Sequence, residues 1–242
     1  MFKKITACCL IALTLSTFKL ENIYAAERIV LKSLQSNVWH QNIYLIANRL
    51  SWINYENFTV QIGDRGEYFY NFPNWHHGKY EPALYREDIN GDTFEDVIVI
   101  LNNNEAVPGK PFRDIHILNQ YHDSYRRYEE AALESIESTI SRDIKLKQHG
   151  GKVTVLAGKN KYNLDISKFN YAKPHDPYAD IRSVEYTIEN NKLSADISVY
   201  VLRDESDFGG LIGYIGIDYS WDGKMYKPKT LVFNPTIPPA PL

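Results

Sequence analysis

Residues 184–201, VEYTIENNKLSADISVYV, give the clearest indication of the fold. Apolar residues occupy every second position from Val184 to Ile188 and again from Leu193 to Val201. A period of two is typical of strands with one buried face. Asn190-Asn191 lies between the two runs, and asparagine tolerates the positive φ of a tight turn. This stretch therefore predicts an antiparallel β-hairpin.

Other short β-favouring runs flank turn residues in the same way. The sequence predicts hairpins that join 58–62 to 67–72, 153–157 to 161–166, and 211–220 to 225–233. Val97–Leu101 is an uninterrupted apolar run, which is typical of a strand buried on both faces. Residues 114–119 predict a further strand. Most of the chain is therefore expected to be β-structure.

A helix is predicted from about Asp123 to Ser141. Its apolar residues recur at spacings of three and four, as on one face of a helix, and glutamates occupy positions outside that stripe. The stripe consists of Ala132, Leu133, Ile136 and Ile140. We therefore expect an α+β fold, predominantly antiparallel β with one amphipathic helix that covers a face of a sheet.

Length and composition favour a folded, globular chain. Its 242 residues are 44% hydrophobic and 24% charged, which excludes a disordered polymer and a coiled coil. We expect a single β-rich domain over 27–233, with either a subdomain break or a long loop near 170–180. Residues 234–242 are rich in proline and predict an extended tail. The formal charge of −3 gives no basic excess, so nucleic acid is not an expected partner.

The N-terminus has the pattern of a secretory signal peptide. Lys3 and Lys4 precede the apolar run Ile5–Leu15, and small residues follow at Ala25-Ala26. We expect cleavage after residue 26, at these small residues. An uncleaved membrane anchor is the alternative, although the run is shorter than the roughly 20 residues of a membrane span. Both cysteines, Cys8-Cys9, lie in this segment, so the mature chain is expected to be cysteine-free. The product would be secreted or extracellular, or associated with the cell envelope, without a transmembrane segment.

One motif carries a defined chemistry, and it spans residues 88–96, DINGDTFED. Its oxygen donors alternate along the loop, and a calcium ion needs six to eight oxygens, so a curled loop of this kind can surround one. The candidate ligands are the side chains of Asp88, Asn90, Asp92 and Asp96 and the main-chain carbonyl of Phe94. An acidic turn without an ion is the alternative, since Asp, Asn and Gly also favour turns. We predict a Ca²⁺ site here.

The loop resembles the FG-GAP/VCBS type of calcium loop, in which D-x-[DN]-x-D-x-x-x-D connects two antiparallel strands. It differs from an EF-hand because position 12 is Val99 and a strand follows. The loop occurs once, whereas integrin-like propellers repeat it. The mature chain as a whole also resembles single-loop exported proteins of Gram-positive bacteria whose role is uncharacterised. The resemblance of the loop, over about 20 residues, implies a calcium ion, whereas the resemblance of the whole chain implies a topology only.

Three weaker patterns have structural alternatives. Trp75-His76-His77-Gly78 predicts a solvated turn, with transition-metal binding as the alternative. The aromatic stretch 68–75 predicts a strand that serves the core, with a carbohydrate platform as the alternative. Residues 204–207, DESD, predict a solvated loop, with a glycosidase carboxylate as the alternative. His116 is expected on a strand face rather than in catalysis.

We therefore expect a calcium-binding, non-catalytic module of the extracellular space or the envelope. A secreted hydrolase that acts on carbohydrate is one alternative, and an envelope factor that binds another protein is a second. The partner is unknown from the sequence, although the aromatic content suggests carbohydrate or a cell-wall polymer. No catalytic residue and no organic cofactor is expected.

Overall fold

A computed structural model describes residues 26–37, 41–103, 112–121, 127–167, 176–204 and 207–237. Nearly all of the expected signal peptide lies outside these residues, as do most of the 170–180 segment and most of the proline-rich tail. The fold is β-rich, and the described part contains one α-helix. The coarse expectation of a predominantly antiparallel β-protein is confirmed.

Two smaller sheets are built from strands that follow one another in sequence. The first is four-stranded and antiparallel: β1 (Glu27–Leu34), β2 (Ile43–Ser51), β3 (Asn54–Ile62) and β4 (Tyr68–His77), in that order. The second is three-stranded and antiparallel: β9 (Ile144–His149), β10 (Lys152–Ala157) and β11 (Asn160–Asp165), with β10 in the centre.

The third sheet has nine strands and carries the candidate site. Its N-terminal members are β5 (Ala83–Glu87), β6 (Asp96–Asn102), β7 (Arg113–Gln120) and β8 (Tyr128–Leu133). Its C-terminal members are β12 (Tyr178–Ala179), β13 (Glu185–Glu189), β14 (Lys192–Asp204), β15 (Asp207–Trp221) and β16 (Met225–Pro235). The order is β12-β14-β15-β16-β8-β7-β6-β5, and β13 also pairs with β14. A short parallel pairing of β16 with β8 joins the two groups.

Strand β6 lies between two hydrophobic cores. Its Ile98 and Ile100 face the core formed with β9–β16, while Val97, Val99 and Leu101 face the core formed with β1–β4. All five side chains are buried, as expected for a strand covered on both faces. The prediction made for Val97–Leu101 is confirmed, and the two cores explain why the run does not alternate.

The predicted hairpins are also confirmed. β3 pairs with β4, β10 with β11, β13 with β14, and β15 with β16, all antiparallel. At the β13–β14 turn, Asn190 and Asn191 have φ of 53° and 59°, the conformation expected of asparagine in a tight turn.

The predicted helix over 123–141 is wrong in its bounds. Helix α1 covers only Ile136–Asp143, and Ser135 caps it by accepting a hydrogen bond from the Ser138 amide. Residues 128–133 form strand β8 instead, paired with β7 on one side and β16 on the other. Residues 128–131 pair with β7 and residues 132–133 with β16, and these pairings outweigh the helical preference of the alanine, leucine and glutamate residues of β8.

Candidate functional site

The candidate calcium loop connects β5 to β6, whose first pairing is Glu87 with Asp96. The backbone turns sharply through Gly91 at φ 81° and Thr93 at φ 77°. A positive φ is costly for a β-branched residue, so contacts must hold Thr93 in place. Its amide donates to Asp88 Oδ2 at 2.9 Å. The loop is thus a tight bend between two antiparallel strands, as the sequence predicts.

Asp96 is the buried anchor of this loop. The side chain is fully buried. Its Oδ2 accepts hydrogen bonds from the amides of Ile89 and Asn90, each at 3.2 Å. Its Oδ1 accepts from the Gln120 amide at 3.1 Å, which joins the loop to the end of β7. Burial raises the pKa of Asp96 from 3.8 to about 7, although these hydrogen bonds oppose the shift.

Asn90 joins two of the candidate carboxylates. Its Nδ2 lies 3.1 Å from Asp92 Oδ2 and 3.2 Å from Asp96 Oδ1. The partly positive amide nitrogen therefore occupies the position between two carboxylates in which a cation would be favoured. The oxygen and nitrogen of an amide are interchanged by a rotation of 180° about the last side-chain bond, so Asn90 could present Oδ1 to an ion there.

Asp88 and Phe94 have different contacts. Asp88 Oδ1 accepts from the amides of Gly91 and Asp92 at 2.8 and 3.2 Å, so this carboxylate supports the turn. The Phe94 amide donates to Asp92 Oδ1 at 2.8 Å. Phe94 also lines a cleft of about 510 Å³ beside the loop, together with Arg86.

The structure brings together Asn90, Asp92 and Asp96, whereas the Asp88 carboxylate is directed to backbone amides. Within the described part of the chain, no three carboxylate, imidazole or thiol side chains lie close enough together to hold a metal ion. A calcium ion would therefore require a small rearrangement: Asn90 would rotate, and Asp88 would exchange some amide contacts for the ion.

The sequence did not identify Gln120 as part of this site. Its amide holds Asp96 from 24 residues further along the chain. A backbone donor leaves no signature in the residue type, so only the pairing of β6 with β7 reveals this contact.

The Trp75-His76-His77 segment is the end of β4 and not a solvated turn, so that prediction is wrong. His76 is exposed and His77 is buried, because neighbouring residues on a strand face opposite sides. His77 Nδ1 accepts from the Asn102 amide at 3.0 Å. Burial lowers the pKa of His77 from 6.5 to about 4, and a hydrogen bond with the Tyr80 backbone opposes the shift. His77 is thus a neutral structural residue.

The aromatic stretch 68–75 largely serves the core, as predicted. Tyr68, Tyr70 and Phe72 pack against the core beneath β1–β4, while Phe69 is 55% exposed. Trp75 stacks on Phe72 on one side and on His116 on the other, with ring centroids 3.9 and 3.8 Å apart.

His116 lies on β7, a strand residue as expected. Its Nδ1 is 2.9 Å from Glu130 Oε1 on β8. Glu130 also lines a groove of about 550 Å³ with Asp114, Glu134 and Glu137. Glu134 in turn pairs with Arg142 at 2.7 Å. Glu130 and Glu134 are thus held by neighbouring side chains. The acidic segment 204–207, for which a glycosidase carboxylate is the alternative interpretation, lies partly outside the described residues.

Comparisons with protein-family models, with curated proteins and with solved structures found no match. The described residues include no helix that is both long enough and apolar enough to cross a membrane.

Proposed function

We propose that this chain is an exported, calcium-binding, non-catalytic module of the extracellular space or the cell envelope. Calcium at the 88–96 loop would fix the β5–β6 hairpin and shape the surface around it. The observation that carries the proposal is the fully buried Asp96, which lies next to Asp92 across the Asn90 amide nitrogen.

The physical argument concerns charge. A buried carboxylate is costly when ionised, and burial accordingly raises the pKa of Asp96 to about 7. The neighbouring charge of Asp92 raises it further. A divalent cation would reverse both effects, because it favours the ionised forms of both groups. Carboxylate, amide and main-chain oxygens are the ligands that calcium prefers.

Two further observations support the proposal. The bend places Asp88, Asn90 and Asp92 on one short loop, so an ion could be reached by side-chain rotation without moving the strands. Two of the acids in the groove beside β8, Glu134 and Glu130, are held by Arg142 and by His116, which favours a structural over a catalytic role for these two.

The experiment is a melting comparison of the mature chain with calcium and with chelator. At a dissociation constant of about 10⁻⁴ M and ~2 mM calcium, binding stabilises the folded state by about 1.8 kcal/mol. For a domain of this size the midpoint should rise by several degrees. An identical midpoint in both conditions would remove the calcium site.

A matched pair of variants localises the effect. Asp92→Asn keeps the shape and removes one ligand charge, so it should abolish most of the calcium response. Glu95→Gln lies in the same loop but outside the predicted ligands, where its carboxylate pairs with Arg86 at 2.8 Å. It should retain the response. Equal responses in the two variants would place the ion elsewhere.

Export is tested separately. The mature N-terminus, measured by mass spectrometry of the protein from culture medium or envelope fractions, should be Glu27. Retention of the full-length chain inside the cell would contradict the proposed location and leave the calcium site unaffected.

A further inference from the structure

The groove beside β8 combines an acidic rim with an apolar floor. It lies between β8, the start of β7 and the first turn of α1, and its volume of about 550 Å³ is within the range of small-molecule binding sites. All the charged residues that line it are acids: Asp114, Glu130, Glu134 and Glu137. The apolar lining residues are Ile115, Ala131, Ala132, Leu133, Ile136 and Ile181. None of the candidate calcium ligands lines this groove.

The cations near Glu134 do not cancel the charge of the groove. Arg142 pairs with Glu134 at 2.7 Å, but the same guanidinium also pairs with Asp143 at 2.7 Å. Lys227 lies near Glu134 and pairs with Asp222 at 2.6 Å. These contacts balance Glu134 at most, and they leave no positive charge over for the other acids.

The remaining three acids share a single imidazole. His116 Nδ1 lies 2.9 Å from Glu130, and its Nε2 lies 3.6 Å from Asp114. Glu137 has no ion-pair partner among the described residues. A protonated His116 could balance one carboxylate at most, so two of these acids stay uncompensated. The groove therefore keeps a net negative charge after every neighbouring cation is counted, and a field of this sign attracts cations.

A buried hydroxyl points to a ligand independently of the acids. Tyr186 lines the groove although it is only 8% exposed, and its hydroxyl has no hydrogen-bond partner among the described residues. Burial raises the pKa of Tyr186, and the nearby Tyr219 and Asp114 raise it further, so the hydroxyl stays protonated at neutral pH. Buried polar groups are nearly always hydrogen-bonded. An ammonium group in the groove would donate to this oxygen.

The arrangement of the acids fits an extended ligand better than a metal ion. Asp114 lies on β7, Glu130 on β8 and Glu137 on α1. Within the described segments, no three carboxylate, imidazole or thiol groups are close enough to hold one metal ion. The ligand that matches this groove therefore carries several positive charges that are separated by apolar segments.

We propose that this groove binds a linear aliphatic polyamine. Its methylene segments would cover the apolar floor, and its ammonium groups would form charge-assisted hydrogen bonds with Asp114 and Glu137. Another ammonium hydrogen would reach the Tyr186 hydroxyl. The inference goes beyond the calcium proposal and does not depend on it.

The test is a calorimetric titration of the mature chain with spermine and with 1,12-diaminododecane. The two molecules have chains of the same length, but the second is charged at its ends alone. Spermine should bind at least about tenfold more tightly, because its inner ammonium groups also meet carboxylates. Added salt should reduce this difference.

Substitutions of single carboxylates localise the site. Glu137→Gln and Asp114→Asn should each weaken spermine binding about fivefold. Glu129→Gln is the matched control: it removes the same charge from the chain, but Glu129 is exposed, pairs with Arg127 at 3.1 Å and does not line the groove. It should bind spermine as the wild type does. Asp92→Asn should also retain binding, which separates this groove from the calcium loop.

A second matched pair tests the buried hydroxyl. Tyr186→Phe removes one oxygen and should weaken spermine binding severalfold, because an ammonium then loses its acceptor. Tyr219→Phe is the control, since the Tyr219 hydroxyl is also buried without a hydrogen-bond partner but does not line the groove. This variant should bind spermine with unchanged affinity.

Four outcomes would overturn the proposal. They are no saturation with spermine at about 1 mM, equal affinities for spermine and 1,12-diaminododecane, equal affinities of the Glu137→Gln and Glu129→Gln variants, and loss of spermine binding in Asp92→Asn. The last result would place the polyamine on the 88–96 loop. A failure of the calcium response alone would leave the polyamine site unaffected.

Discussion

A buried titratable group lies at each end of strand β6, and the two groups differ in charge type and in their neighbours. At the first residue, Asp96 is surrounded by backbone donors and lies close to Asp92. At the last residue, the Asn102 amide meets His77, whose ring is satisfied by backbone groups alone. Burial favours the neutral form of both groups. The neighbours therefore distinguish the two ends: Asp96 lies close to the carboxylate of Asp92, whose charge a proton or a cation would offset, whereas the hydrogen-bond partners of the His77 ring among the described residues are backbone groups.

The two groups also have opposite effects on stability as pH changes. The pKa of His77 is lowered on folding, so its contribution is present above about 6.5 and is lost as pH falls towards 4. The pKa of Asp96 is raised, so without calcium its contribution is present below about 3.8 and is lost as pH rises towards 7.

The largest effect is expected at the Asp96 end. Asp96→Ala leaves the amides of Ile89, Asn90 and Gln120 without their acceptor in a buried site. We expect a loss of about 4 kcal/mol in the free energy of unfolding and a midpoint lowered by roughly 10 °C. Chemical denaturation in chelator at pH 5, below the raised pKa of Asp96, measures this change. A loss below about 1 kcal/mol would show that Asp96 is not the anchor of the loop.

The next effect concerns His77. Between pH 6.5 and 4, its buried neutral ring should cost the folded state ~3 kcal/mol, because the unfolded chain becomes protonated first. His77→Asn keeps an acceptor for the Asn102 amide and cannot become charged, so this part of the pH dependence should disappear. Denaturation curves across this pH range give the difference between variant and wild type.

His76→Asn is the matched control, since the neighbouring histidine is exposed. It should keep the pH dependence of the wild type. Parallel curves for wild type and His77→Asn would contradict a buried neutral imidazole at this end of β6.

The smallest of the three effects is the pH dependence of calcium stabilisation. Calcium must displace the proton from Asp96, whose pKa is raised to about 7. The stabilisation of about 2 kcal/mol expected at pH 8 should therefore fall almost to zero at pH 5. Thermal melting with calcium and with chelator at the two pH values measures this loss of stabilisation. A calcium stabilisation that does not change with pH would show that the ion does not bind at Asp96.

The sequence predicts those parts of the fold whose signals are local. Alternation and turn residues identify the β13–β14 hairpin, and the apolar run identifies β6. Strand β8 is missed, because its alanine and glutamate residues favour a helix and only pairing with β7 and β16 makes it a strand. Strands β1, β2 and β9 are also absent from the sequence predictions.

In the candidate site, too, local features can be predicted from the sequence and long-range contacts cannot. The oxygen donors of the 88–96 loop can be recognised from their spacing. The features that distinguish the two ends of β6 cannot, because Gln120 and Asn102 reach Asp96 and His77 from 24 and 25 residues away. The exposed rings of Tyr80, Phe112 and Tyr214 line one cleft but lie on three distant segments, so no local stretch of sequence predicts their proximity.

Strand β6 contributes side chains to both cores. Opening either core alone would therefore expose one face of this strand to solvent. Its amides should therefore exchange with solvent only when the whole protein unfolds. A ligand bound at either end of β6 would slow amide hydrogen exchange in the sheets on both sides. A local contact would thus stabilise the entire fold.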